Sequence, residues 1–166
     1  MPATRLLVDT VIVIEACRFN VWKALATHFA IETVDVCVAE AQTGPKGLAP
    51  GILASTLAAF HSVAAADRHA LILAEDSAAG LDDGEKALYA WVFKNGGPKT
   101  SLLISTADKA AIVTATKLGW GDSLISLEAA AKLAGVPKAQ ISQLEHQFTE
   151  EWLSQIRLKI HLGVIP

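Results

Sequence analysis

Apolar and polar positions alternate along the chain in two distinct rhythms. Leu6-Leu-Val8 is an unbroken apolar run that ends on Asp9. Such a run predicts a strand over Arg5–Asp9 that is buried on both faces. From Val11 to Ala30 the spacing turns helical and predicts one or two helices broken near Asn20. Phe29 to Val34 predicts a second strand, and Asp35 is placed to cap a helix running through Ala41. Thr43-Gly-Pro-Lys-Gly47 is a turn cluster. Ile52 to Ala66 reads as helical by composition, whereas Ala70 to Glu75 satisfies either a strand or a helix. Asp82 or Asp83 opens a helix to about Lys94, which Asn95-Gly-Gly-Pro98 stops. Ser101 to Ser105 is a further buried strand, followed by a helix from Asp108 to Leu118 with Gly119 as its C-terminal cap. A short stretch at Ser123–Ile125 leads into a helix from Ser126 to Leu133, ended by Gly135. Lys138 to His161 predicts one long helix with Ile141, Leu144, Phe148, Trp152, Ile156 and Ile160 on one stripe. That stripe has to pack, either on the domain itself or on a partner. Strands alternating with helices imply an α/β fold with a mostly parallel sheet.

Composition adds limits rather than detail. A chain of 166 residues suits one domain with a sizeable core, and 52% hydrophobic with 19% charged residues is a globular balance. No uncharged apolar run reaches the length of about 18 residues that a membrane helix needs, so no membrane span is expected. Met1 to Thr10 lacks the apolar core of a secretory leader, which makes the cytoplasm the expected compartment. Cys17 and Cys37 sit in apolar context without a CxxC pairing and read as buried free thiols. The formal charge of −3 and the lack of a basic block argue against a long phosphate-tracking surface. They leave room for a nuclease that grips phosphate through bound metal ions.

The chemistry-bearing positions are acids. Asp9 and Asp108 occupy equivalent places, each at or just after the end of a buried strand where a helix begins. Ligands of open parallel sheets bind at the carboxyl ends of the strands, so these two carboxylates can meet despite their separation in sequence. Glu40 lies inside the apolar helical segment Val36–Ala41, and Glu85 in the first turn of its helix. Carboxylates gathered in one pocket repel each other and stay ionised together only with cations among them. Hard ions such as Mg²⁺ prefer such oxygen ligands and serve phosphodiester cleavage. Zinc would call for clustered His or Cys, which are absent: His28, His61, His69, His146 and His161 are scattered. Structural roles are open to each acid as well. Asp9 fits a strand end or a helix cap, Asp108 fits a role with the helix dipole, Glu40 fits a solvated helix position, and Asp82-Asp-Gly-Glu85 fits a capping box.

Other residues refine this picture. Trp22, Trp91 and Trp152 fall within helical segments and read as core, whereas Trp120, after Gly119, is the candidate for stacking on a base. Lys46, Lys99 and Lys109 are candidate phosphate contacts flanking the acids. Gly44-Pro-Lys-Gly47 lacks the spacing of a P-loop, and neither a G-x-S-x-G nor a G-x-G-x-x-G motif is present.

The order of the acids resembles that of the PIN domain, the nuclease fold of VapC-type toxins. Leu6-Leu-Val-Asp-Thr10 is similar to the family's opening strand, with its first acid and following hydroxyl. Val38-Ala-Glu40 resembles the second acidic site, and Leu81-Asp-Asp-Gly-Glu85-Lys-Ala-Leu88 the "GE" variant of the third. Leu103-Ile-Ser-Thr-Ala-Asp108-Lys-Ala-Ala111 resembles the fourth, with Thr106 beside it. Leu127-Glu-Ala-Ala-Ala-Lys-Leu-Ala-Gly135 looks like the closing helix of some members.

The resemblance implies a three-layer α/β/α sandwich over residues 1–135, with 136–166 as a C-terminal helical extension. It implies Mg²⁺ or Mn²⁺ held by Asp9, Glu40, Glu85 and Asp108, with Thr10 and Thr106 in support. It further implies cleavage of single-stranded RNA, a homodimer, and for toxin members an antitoxin partner. The third acidic position stays open between Glu85, Asp82 and Asp83. Val11 stands where many members carry a polar residue. The alternative reading is a PIN-like module without catalysis that works through protein contacts. A phosphatase of the haloacid dehalogenase type would need a second Asp two residues after Asp9, where Val11 stands.

Overall fold

The structure, a computed structural model, describes residues 3–44, 47–48 and 50–165. Its centre is a parallel sheet of β1 (Arg5–Val8), β2 (Ala30–Val34), β3 (Ala59–His61) and β4 (Leu102–Ser105), in the order β3-β2-β1-β4. Around it lie α1 (Thr10–Arg18), α2 (Trp22–His28), α3 (Asp35–Thr43), α4 (Pro50–Thr56), α5 (Ala65–Ala74) and α6 (Asp83–Lys94). Then come α7 (Lys109–Lys117), α8 (Leu127–Leu133), α9 (Lys138–Ile141) and α10 (Glu150–His161). Side chains alternate across a strand, and β1 divides the core accordingly. Leu6 and Val8 join α1, α2 and α8 on one face, while Leu7 meets α5, α6, α7 and α10 on the other. Helices on both faces of a parallel sheet make the three-layer α/β/α sandwich. β1 and β4 carry the apolar runs Leu6–Val8 and Leu102–Ile104 because both of their faces are covered.

The local signals act as their chemistry requires. Asn20 takes a left-handed φ of 57°, which separates α1 from α2. Gly119 (φ 80°) and Gly135 (φ 77°) end α7 and α8. Beyond β4, Ile125 N–H donates to Ile104 O, and Leu124 forms an isolated parallel bridge with Ile104. The stretch 123–125 therefore continues the sheet by a single rung.

Three expectations need correction, and one open stretch is resolved. The segment Ile52–Ala66 is not one helix: α4 ends at Thr56 and Ala59–His61 forms the edge strand β3. Its alanines favour a helix locally, but pairing with β2 prevails, in the register Glu32–Ala59, Thr33–Phe60 and Val34–His61. The ambiguous stretch Ala70–Glu75 belongs to helix α5 up to Ala74. Asp35 is the first residue of α3 and bonds only its neighbour, Val36 N–H, at 2.8 Å, so it is not the cap.

The last correction concerns the long C-terminal helix, which is broken. It consists of α9, a 3-10 turn at His146–Phe148, and α10 capped by Thr149, whose Oγ1 accepts from Trp152 N–H. The stripe serves two separate faces: Ile141, Leu144 and Phe148 pack with the α1/α2/α8 layer, and Ile156 with the α6/α7 layer. One straight helix has a single apolar stripe and cannot face both. Residues 136–165 thus form part of the core of the same body. Gln140 Nε2 donates to Phe19 O at 2.6 Å, and Arg157 donates to the carbonyls of Gly121 and Leu124.

Candidate functional site

The pairing of β1 with β4 sets Val8 opposite Ser105, so the residues that follow each strand emerge side by side. Asp9 is 4% exposed and caps α1, its Oδ1 accepting from Ile12 N–H at 2.9 Å. Its Oδ2 accepts from the Thr106 hydroxyl at 2.7 Å. Thr106 Oγ1 in turn accepts from Asp108 N–H at 3.2 Å. Asp108 is exposed and caps α7 through Ala111 N–H at 3.0 Å. From β2, Thr33 Oγ1 donates to Val8 O at 2.7 Å and holds the start of α3 against the end of β1. Glu40, one turn from the end of α3, accepts from the Thr10 hydroxyl at 2.6 Å.

The fourth corner comes from the opening of α6. Asp82 caps the helix, with Glu85 N–H donating to its Oδ1 at 2.8 Å, and Glu85 Oε2 accepts from Asp82 N–H at 3.4 Å. The capping box and the acidic site are therefore the same residues. Glu85 is only 7% exposed, although its cap partner Asp82 is open to solvent. Asp83 is exposed and takes no part in these contacts.

Burial and mutual repulsion raise two of these carboxyls. Burial lifts Glu85 from its ordinary range to about 8, with the charges of Asp108, Asp82 and Asp9 adding to it. Burial likewise lifts Asp9 to about 6; Ile12 N–H and Thr106 pull it down, and Asp82 and Asp108 push it up. Asp9, Asp82, Glu85 and Asp108 thus share one electrostatic field. Glu40 is tied by hydrogen bond to Thr10, the residue after Asp9. Among the described residues, no Lys, Arg or His makes an ion pair with any of these acids.

This donor set fits a hard divalent cation in kind: carboxylate and hydroxyl oxygens, in excess negative charge, with no ion-paired Lys, Arg or His among the described residues. The oxygens rest on helix caps and hydroxyls rather than on a common centre. Among the described residues, no three His, Cys, Asp or Glu side chains gather closely enough to enclose an ion.

Other candidate residues fall elsewhere. Trp120 is 7% exposed and stands edge-on to Tyr89 at 5.6 Å, so it belongs to the core and is not a stacking platform. Lys99 lines a small cavity with Arg5 and Trp91 at the amino end of the sheet, opposite to the acids. Lys109 is exposed beside Asp108 and remains at the rim. Lys46 lies outside the described residues. Val11 is 45% exposed, so it does not support the carboxylates from behind.

From sequence, Cys37 reads only as a buried thiol and Gly84 only as part of the Gly-Glu pair, with no role at the site for either. Cys37, 1% exposed, lies within hydrogen-bonding reach of Thr10 and Thr33 and is raised to about 12 by burial. Gly84 is the point of contact between α6 and the Glu40 side chain. A glycine in a first helical turn next to a glutamate was the available signal for the second. Nothing local marked the first.

No protein-family model matches the chain, and no curated protein is significantly similar to it. Among the described residues, no helix is long and apolar enough to cross a membrane.

Proposed function

We propose that this protein is a divalent-metal-dependent endoribonuclease of the PIN type that cleaves single-stranded RNA. The observation that carries the reading is Asp9. It is a buried carboxylate at the carboxyl end of a parallel strand, fixed by Thr106, and it shares its field with Glu85, Asp108 and Asp82 without an ion-paired cation among the described residues. Asp9, Glu40, Glu85 and Asp108 would hold Mg²⁺ or Mn²⁺. Such an ion, when bound, supplies Lewis-acid stabilisation of a phosphodiester oxygen and makes water a better nucleophile. Thr106 orients Asp9, and Thr10 orients Glu40. The caps at Ile12 and Ala111 keep Asp9 and Asp108 aimed by backbone rather than by flexible side chains. RNA as substrate, a homodimer, an antitoxin partner and a cytoplasmic setting belong to this proposal through the PIN resemblance.

The test is RNA cleavage with added Mn²⁺ or Mg²⁺, comparing wild type with Asp9→Asn. The variant keeps the acceptor for Ile12 N–H and is expected to lose cleavage by at least about a hundredfold while melting as a folded protein. Equal cleavage by the two proteins would remove this mechanism.

A second reading is a PIN-like module without catalysis. It draws on the unconverged carboxylates, not on the C-terminal apolar stripe, which the domain's own core occupies. The absence of any heat of Mn²⁺ binding would favour it.

A further inference from the structure

The Glu40 carboxylate lies in the gap left by the missing side chain of Gly84. A Cβ at position 84 would stand 2.8 Å from Glu40 Oε2 and 3.1 Å from Cys37 Sγ. The first distance is shorter than a real Cβ contact, so the Glu40 carboxylate, at the end of its side chain, would have to move; the second asks Cys37 Sγ to give by a few tenths of an ångström. Gly84 has ordinary helical backbone, since its φ is not among the positive ones, so space and not conformation is what favours glycine there. Its neighbour is Glu85. The same residue that admits Glu40 therefore fixes the approach of Glu85 to it.

The other side of Glu40 is held by a chain of hydrogen bonds. The Thr10 hydroxyl hydrogen is committed to Glu40 Oε2 at 2.6 Å, and that of Thr33 to Val8 O at 2.7 Å. Cys37 Sγ lies close to both hydroxyls, and its single S–H can donate to one of them. Donated to Thr10, that hydrogen would support the hydroxyl that holds Glu40.

We infer that Gly84 and Cys37 are positioning residues for the Glu40 corner. Gly84 provides the seat of the Glu40 carboxylate against α6, and Cys37 orients the Thr10 hydroxyl that aims it. This inference rests on the reading of the pocket as a metal-dependent nuclease site. Neither residue touches the reacting phosphate.

Mn²⁺ binding by calorimetry on the full chain, alongside RNA cleavage, tests it. Gly84→Ala is expected to weaken Mn²⁺ binding by about ten- to a hundredfold, the usual range for residues that orient ligands. The loss should appear in the Mn²⁺ dependence of kcat and not in the KM for RNA. In an E40D background, where the carboxylate is withdrawn by one carbon, G84A should change binding far less. Cys37→Ala is expected to weaken Mn²⁺ binding in the same direction, and Cys37→Ser, which keeps a donor, to restore it. Should G84A fail to fold, the C37A and C37S pair decides. Wild-type Mn²⁺ affinity in both G84A and C37A, with Asp9→Asn inactive, would overturn the inference and leave the nuclease reading standing. No Mn²⁺ binding by the wild type would end both.

Discussion

Glu85 has two roles that pull in opposite directions. As the third residue of a capping box it secures the start of α6, and as a buried acid among acids it is hard to ionise. The sign of its pH effect follows directly. With its carboxyl raised to about 8, the folded protein holds a proton that the unfolded chain releases near its ordinary value of 4.5. The metal-free protein therefore loses stability as pH rises between those values, and Asp9, raised to about 6, adds to the loss over the lower part of that window. Each tenfold in proton affinity is worth about 1.4 kcal/mol, or roughly 3–5 °C in melting temperature at this size. Melting in chelator should thus fall between pH 5 and pH 8. Glu85→Gln, which keeps the shape and the acceptor, should flatten the fall above pH 6. An identical pH slope in the variant would show that Glu85 ionises normally.

At the scale of elements, the site depends on where helices begin. Asp9, Asp82 and Asp108 each cap a helix whose first turn lies at the pocket. Asp82→Ala is expected to cost about 1 kcal/mol, the usual value of an N-cap, and to lower the melting temperature by roughly 2–4 °C. The opposite part of the sheet is tied by a different device. Arg5 of β1 grips Glu32 of β2 through Nε at 2.6 Å and Nη2 at 2.9 Å, and His61 of β3 reaches the same carboxylate at 2.7 Å. His61 also stacks on Trp91 of α6 at 4.0 Å. Glu32→Ala would strand a half-exposed guanidinium and loosen the edge strand. With Arg5 partly screened by solvent, a loss of about 1–3 kcal/mol in denaturant unfolding is expected. RNA cleavage per folded molecule should stay unchanged, because this cluster lies away from the acids.

On the scale of the whole molecule, the segment after Gly135 closes both layers of the sandwich. Phe148 is 2% exposed within the α1/α2/α8 cluster, and Ile156 is 6% exposed within the α6/α7 cluster. Phe148→Ala is expected to cost about 3–5 kcal/mol, the range for removing a buried ring. Urea denaturation should show this as a lower midpoint with an unchanged slope. An effect under about 1 kcal/mol would mean that 136–165 is a detachable appendage rather than part of the core.

Much of this protein was decided within a few residues of each position. The buried strands were legible as apolar runs because both of their faces are covered. The helix starts at Asp82 and Ser126 and the stops at Gly119 and Gly135 were legible because caps act locally. Two acids at strand ends were legible because a parallel sheet brings its carboxyl ends together. What the chain could not disclose depends on partners distant in sequence. The strand Ala59–His61 exists through its pairing with β2, against a helical composition. The C-terminal stripe breaks because its residues answer to two faces of the sheet. Trp120 is core because Tyr89 meets it. Glu40 can lie against α6 because Gly84, on another helix, leaves it room. Propensity and capping act along the chain, whereas burial and close approach arise only once distant segments share a volume.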